Sequence, residues 1–244
     1  METIQELIAD ANRGVQKLKA QAQTKEYQDS CARLVAKCES LIEIANTMLV
    51  DLDQIIKTCE EKTVRKEYAS GCKYMHRGYY APTPVDHVIV VGIKRGKLLK
   101  RLTSKSKPCF VYGFDSENRL LWSNQIYNGK VVGTEYLRYD GDKVYGITLD
   151  SRGDLQIVTE EVFQDGRITE YTKYTIITNE LRCEQYTYND EVIESCQWHN
   201  LFIPPMEDPA WAKEHGVESV HFPIYSKNVF HFEHNGNEIK LKSN

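Results

Sequence analysis

Turn signals recur along this chain at an almost constant interval, and that interval dictates a sheet. Arg95-Gly96, Ser104-Lys105-Ser106, Ser116-Glu117-Asn118, Asn128-Gly129, Asp140-Gly141, Arg152-Gly153, Asp165-Gly166, Thr178-Asn179 and Asn189-Asp190 follow one another about 10 to 13 residues apart, the length of one strand and one short turn. Asn-Gly and Asp-Gly are the strongest hairpin dipeptides, because a type I′ turn needs positive φ at both central residues. Leu120-Leu121-Trp122, Val144-Tyr145-Gly146-Ile147, Leu155-Gln156-Ile157-Val158 and Ile168-Thr169-Glu170-Tyr171 lie between them, and β-branched and aromatic side chains suit a pleated surface. None of the seven prolines falls between Cys109 and Ile203, as a continuous hydrogen-bonded ladder requires. The reading is an antiparallel meander of about ten to twelve strands starting near His87. Apolar residues occur on both faces of these strands, diluted by Thr, Glu and Gln, which predicts a wide, twisted sheet with both faces partly wet.

The N-terminal quarter carries a different period. Ile4, Ile8, Ala11, Val15, Leu18 and Ala22 follow a 4-3 beat, and so do Tyr27, Cys31, Leu34, Cys38, Leu41, Ala45, Met48, Leu52, Ile55 and Cys59. That is the seam of a coiled helix. The two series are out of register, and a break near Gln21 to Thr24, with Thr24 as N-cap, makes them a hairpin with unequal arms. The uncovered part of the longer arm must bury its seam against the sheet or against a second copy. The fold class is therefore α+β: a helical hairpin over residues 1–66, a junction over 67–86 rich in Gly, Pro and Tyr, and a β-meander domain over 87–244. Pro204, Pro205, Pro209 and Pro223 mark an irregular cover over 199–228, with a short helix from Asp208 to His215, and Asn235-Gly236 marks a closing hairpin.

Phe163-Gln164-Asp165-Gly166-Arg167-Ile168-Thr169-Glu170-Tyr171 and Tyr139-Asp140-Gly141-Asp142-Lys143-Val144 resemble the YD-type (Rhs-like) β-repeats of bacterial proteins, in which an aromatic, an Asp/Gly turn, a basic residue and an apolar one recur. The resemblance covers about residues 120–198. It implies a β-repeat sheet of toxin and interaction systems, and no particular activity.

Charge is unevenly spread. Lys94 to Lys107 holds seven bases and no acid, whereas residues 115–198 hold sixteen acids and eight bases. The plain reading is that these charges pair with one another or with water. The functional alternative is an acidic sheet that meets a basic protein, with Glu135, Asp140, Asp142, Glu160, Glu161, Glu170, Glu184, Tyr171 and Tyr186 as contact residues. A net charge of −4 argues against a nucleic-acid footprint. No run of roughly 20 apolar residues is present to span a bilayer as a helix. Met1-Glu2-Thr3-Ile4 does not open a secretory leader, and the seven cysteines are odd in number without a C-x-x-C pair. A reducing cytoplasm with free thiols is expected, and Cys31, Cys38 and Cys59 on the seam read as small core hydrophobes.

No P-loop, G-x-G-x-x-G, H-E-x-x-H or G-x-S-x-G motif occurs. Cys196 with His199 lacks an orienting third group, and His231 and His234, three apart on a strand, face opposite ways. The chain is expected to be non-enzymatic, without cofactor or metal: a protein-binding module, in its most specific form a bacterial immunity or antitoxin-like protein that masks a basic toxin. The alternative is a scaffold protein of a phage or surface assembly that self-associates through residues 27–59. An enzyme working in a groove near Trp198, His199 and His221 is the third reading.

Overall fold

The computed structural model describes residues 3–71, 76–90, 95–102, 109–205, 213–214, 216–235 and 238–242. Helices α1 (Ile4–Gln21), α2 (Lys25–Val50) and α3 (Leu52–Lys62) come first, and a short α4 (Asp86–Ile89) follows later. The strands are β1 (Arg65–Ser70), β2 (Leu98–Leu99), β3 (Cys109–Phe114), β4 (Leu120–Tyr127), β5 (Lys130–Asp140), β6 (Lys143–Asp150), β7 (Leu155–Gln164), β8 (Arg167–Thr175), β9 (Glu180–Asn189), β10 (Val192–Phe202), β11 (Ile224–Asn235) and β12 (Glu238–Leu241). They form one twelve-stranded antiparallel sheet in which β3 to β12 are neighbours in chain order and β1 lies between β3 and β2. The fold is α+β.

The strong dipeptides sit where their backbone freedom is needed. Asn128-Gly129 and Asp165-Gly166 have positive φ at both residues, the type I′ signature. The expected signal at Ser104-Lys105-Ser106 and the expected helix from Asp208 lie largely outside the described residues. Several boundaries differ from expectation. Arg65–Ser70 is a strand that takes the last residues expected of the helix and the first of the junction, His87 belongs to α4 rather than opening the sheet, and the irregular cover expected over 199–228 gives up its ends to β10, which runs to Phe202, and to β11, which starts at Ile224.

Thr24 does cap α2, accepting from the Tyr27 amide, and a break separates it from α1. The arms do not fold into a hairpin with a shared seam. α1 instead bonds across to 216–218: Asn12 Nδ2 donates to Gly216 O at 3.2 Å, and Lys19 Nζ lies 2.6 Å from Glu218. The long seam is buried on the sheet. Leu34, Cys38, Leu41, Ala45 and Met48 pack with Tyr145, Ile147, Val158, Tyr174, Leu181 and Leu201, from strands β6 to β10. With 26 residues α2 is about 39 Å long, and its contacts run from β6 to β11. At its start the Tyr27 hydroxyl donates to Pro223 O and accepts from the Tyr225 amide, both at 2.9 Å. Beyond its end, in α3, the Cys59 thiol lies 3.7 Å from Leu121 O. Leu34, Cys38, Leu41, Ala45 and Met48 of this seam are therefore covered within the chain.

The opposite face is concave. Phe110 on β3 and Lys173 on β8 line one cavity of about 110 Å³, whereas five strand spacings would hold them roughly 24 Å apart in a flat sheet. Register shifts at Gly113/Phe114, Gln125/Ile126, Thr148/Leu149, Val162/Phe163 and Ile193/Ser195 supply the bending, since a bulge kinks its strand and increases twist. Residues 76–90 run through this hollow as a strap. Tyr80 packs on Tyr112 and Phe114, with ring centroids 4.8 and 5.1 Å away, and Val85 is buried among Tyr171, Tyr186, Ile193, Cys196 and Phe232. With α2 on one face and the strap on the other, both faces are buried at mid-sheet. This is why apolar residues appear on both sides of each strand, and it corrects the expectation of two wet faces.

Candidate functional site

The strap is fastened by two arginines. Arg77, held in the left-handed region at φ 60°, donates from Nε and Nη2 to the two oxygens of Glu135, each at 2.8 Å, while Nη1 lies 2.7 Å from Glu161 Oε1. The Tyr112 hydroxyl donates to Arg77 O at 2.8 Å and fixes the unusual backbone. His76 stands 3.2 Å from Glu135 through Nε2 and 2.9 Å from the Tyr171 hydroxyl through Nδ1. Gly146 leaves the space: a Cβ there would come within 2.4 Å of the Thr159 hydroxyl and 2.7 Å of Glu135 Oε1. Further along, Arg182 Nη2 reaches both oxygens of Asp86, at 2.9 and 3.0 Å, and Glu184 Oε1 at 2.6 Å. Tyr186 donates its hydroxyl to the other oxygen of Glu184.

These contacts set the ionisation. Burial pushes the Glu135 carboxyl up, but Arg77 and then His76 outweigh it and hold the group far below the usual carboxylate range. Glu184 goes the other way. Burial pushes it up to about 7, Asp86 adds to this, and Arg182, which it shares with Asp86, only partly opposes it. Between its ordinary value and about 7 the folded chain therefore keeps a proton that the unfolded chain has lost. Stability falls as pH rises through that window, by up to about 1.4 kcal/mol per pH unit, and levels off above it. Glu184→Gln, neutral at every pH, is expected to abolish this slope. Urea unfolding at pH 5 and pH 8 checks it: the variant gains on the parent chain at pH 8, and equal differences at both pH values would contradict the assignment.

No family model, curated protein or solved structure matches the chain. The site is therefore read from its own residues.

The structure scatters the expected contact residues. Glu135, Glu161, Glu184, Tyr171 and Tyr186 are buried under the strap. Glu160 and Glu170 lie on the helix-covered face as counter-ions of Lys37; Glu170 is 3.0 Å from Lys37, and Glu160 is 3.0 Å from Lys143. Only Asp140 and Asp142 are exposed. The acidic surface built from the whole set is corrected accordingly. Carboxylates this deep need fixed counter-ions, and they have them. Four of the acids in 115–198 find bases from outside that stretch, Glu135 and Glu161 with Arg77 and Glu160 and Glu170 with Lys37; sequence reasoning missed both bases, along with Asp86 and Arg182.

What remains acidic at the surface is one end of the meander. Antiparallel order places the β3–β4, β5–β6, β7–β8 and β9–β10 turns at the same end. They expose Glu117, Asp140, Asp142, Asp165, Asp190 and Glu191. The bases there are bound within it, Arg119 to Asp115 at 2.8 Å and Glu117 at 3.3 Å, Lys143 to Glu160, and Arg167 to Glu191, so Glu117 and Glu191 carry counter-ions while Asp140, Asp142, Asp165 and Asp190 have no ion pair among the described residues. The groove suggested around Trp198, His199 and His221 does not assemble from these residues. Trp198 points into the hollow, while His199 is buried on the other face, 3.1 Å from the Tyr225 hydroxyl. Cys196 is buried and burial raises its thiol far above the ordinary range, the opposite of an activated nucleophile.

Proposed function

We propose that this protein is a non-enzymatic protein-binding module that meets a basic partner through the acidic rim of turns at one end of its sheet. Its most specific form is a bacterial immunity or antitoxin-like protein masking a basic toxin surface. The observation that carries the reading is the rim itself: successive hairpins project Glu117, Asp140, Asp142, Asp165, Asp190 and Glu191 together, and the bases among them are internally paired. The resemblance of the Asp140-Gly141 and Asp165-Gly166 segments to YD-type repeats points in the same direction. Turn residues on a rigid sheet can be exchanged freely by selection, because they carry little packing.

Such a surface acts mainly on the rate of encounter. The chain carrying Asp140→Lys and Asp142→Lys, neither of them at positive φ, is expected to keep its unfolding midpoint and to lose about tenfold or more in association rate with its partner at low salt. Capture from a lysate of the source organism, with and without the substitutions, followed by kinetics on the recovered protein, provides the check. A basic partner retained equally by both chains, or association indifferent to salt, would sink the reading.

A further inference from the structure

Lys173 is the charged residue of the hollow that the strap leaves unmatched. It lies in mid β8, directly opposite Arg182 in register and on the same face. Like charges so placed repel, and Arg182 is neutralised by Asp86 and Glu184 while Glu135 and Glu161 are held by Arg77. Lys173 makes no hydrogen bond or ion pair with any described residue, although Asp86, Glu184 and Glu180 are near enough to influence it; burial and then Arg182 lower its pKa. Its side chain borders two spaces at once. Inward is the polar cavity of about 110 Å³, where the buried Thr148 hydroxyl also lacks a partner. Outward is a trough of about 550 Å³ bordered by Arg182, Glu180, Asn200, Asn228 and the half-buried rings of Trp198 and Phe230, 5.2 Å apart, with the Arg182 guanidinium 4.5 Å over the Trp198 ring. The buried Nε of Arg182 is a second donor without an acceptor.

We propose that this junction binds a small organic anion, its carboxylate or phosphate on Lys173 and its apolar body along Trp198 and Phe230. The Thr148 hydroxyl and Arg182 Nε have no hydrogen-bond partner among the described residues, and Glu135, which also borders the inner cavity, is already held by Arg77. The Lys173 side chain is partly buried and its ammonium has no ion-pair partner among the described residues, and an oxyanion that meets it makes a charge-assisted hydrogen bond. The trough falls within the roughly 300–1,000 Å³ of small-molecule sites, which favour the mouths of curled sheets. Thr148 borders the inner cavity and Arg182 the trough, with Lys173 common to both. This site is separate from the acidic rim and stands whether or not the rim binds a protein.

Calorimetric titration of the full chain with benzoate, phenyl phosphate and the neutral benzyl alcohol tests it. One of the two anions is expected to bind at a single saturable site, and which one does so assigns carboxylate or phosphate. Benzyl alcohol is not expected to bind. Lys173→Met is expected to lose at least about tenfold in affinity and Lys173→Arg to keep most of it. On the unmodified chain, the bound anion is expected to protect Lys173 from acetic anhydride, read by peptide mass spectrometry, which needs no variant to fold. Equal binding by Lys173→Met, saturation by benzyl alcohol alone, no saturable binding by either anion, or acetylation of Lys173 unaffected by a bound anion would each overturn the proposal.

Discussion

Arg77→Ala is expected to destabilise the chain by about 3–5 kcal/mol, the largest effect of any single substitution in the strap. The guanidinium is 5% exposed and its partners Glu135 and Glu161 are 2% and 6% exposed, so water does not replace it. Three of its nitrogens are engaged. Removing it leaves two carboxylates in a low-dielectric hollow, with His76 and the Ser123 hydroxyl as the remaining neighbours of Glu135. The loss comes from stranded charge rather than from the pair's own attraction, because a buried ion pair gains little over an apolar one of the same shape. Adding Glu135→Gln and Glu161→Gln to Arg77→Ala should therefore recover part of the loss, which an account based on lost contacts alone does not predict. Urea midpoints for the single and triple variants, with cleavage of the strap by a protease as a second readout, decide it. A loss under about 1 kcal/mol would mean that water reaches both carboxylates and that the hollow is not closed by the strap.

The same clamp shows where a sequence stops being legible. The hairpin turns could be read because each needs its own residues in a rare backbone region, and Asn128-Gly129 and Asp165-Gly166 supply them within two positions. β1 could not. Arg65 to Ser70 follows a helix with no glycine or proline between Cys59 and Ser70, and it is a strand because β3, some forty residues on, offers it an edge. Nothing local records that pairing. Charge behaved in the same way. The surplus of acids in the sheet was visible, but its destination depended on Arg77 and Lys37, which are remote in sequence, and so buried counter-ions looked like a docking surface. The candidate site was legible only at Asp140 and Asp142, where a turn fixes exposure without help from the rest of the fold.

Leu41→Ala is expected to cost about 2–5 kcal/mol, and Ile42→Ala, one residue along, no more than about 0.5 kcal/mol. The seam that runs from Tyr27 to Cys59 reads identically whether its partner is a second helix, a second copy or a sheet, because a heptad beat specifies which face is buried and not what covers it. The structure covers it with β6 to β10: Leu41 is 1% and Met48 0% exposed, whereas Ile42 is 38% exposed. Truncating Leu41 opens a void between helix and sheet that close-packed neighbours cannot fill, so the cost combines lost burial with the cavity. The decisive feature is how the melting midpoint depends on concentration. A seam buried within one chain gives a melting midpoint, and a Leu41→Ala decrement, independent of protein concentration. A seam buried between copies makes the midpoint rise with concentration, since association stabilises by mass action. Melting at two concentrations a hundredfold apart, with light scattering on the same samples, separates the cases. A concentration-dependent midpoint would return residues 27–59 to the role of an assembly surface and remove the helix from the back of the sheet.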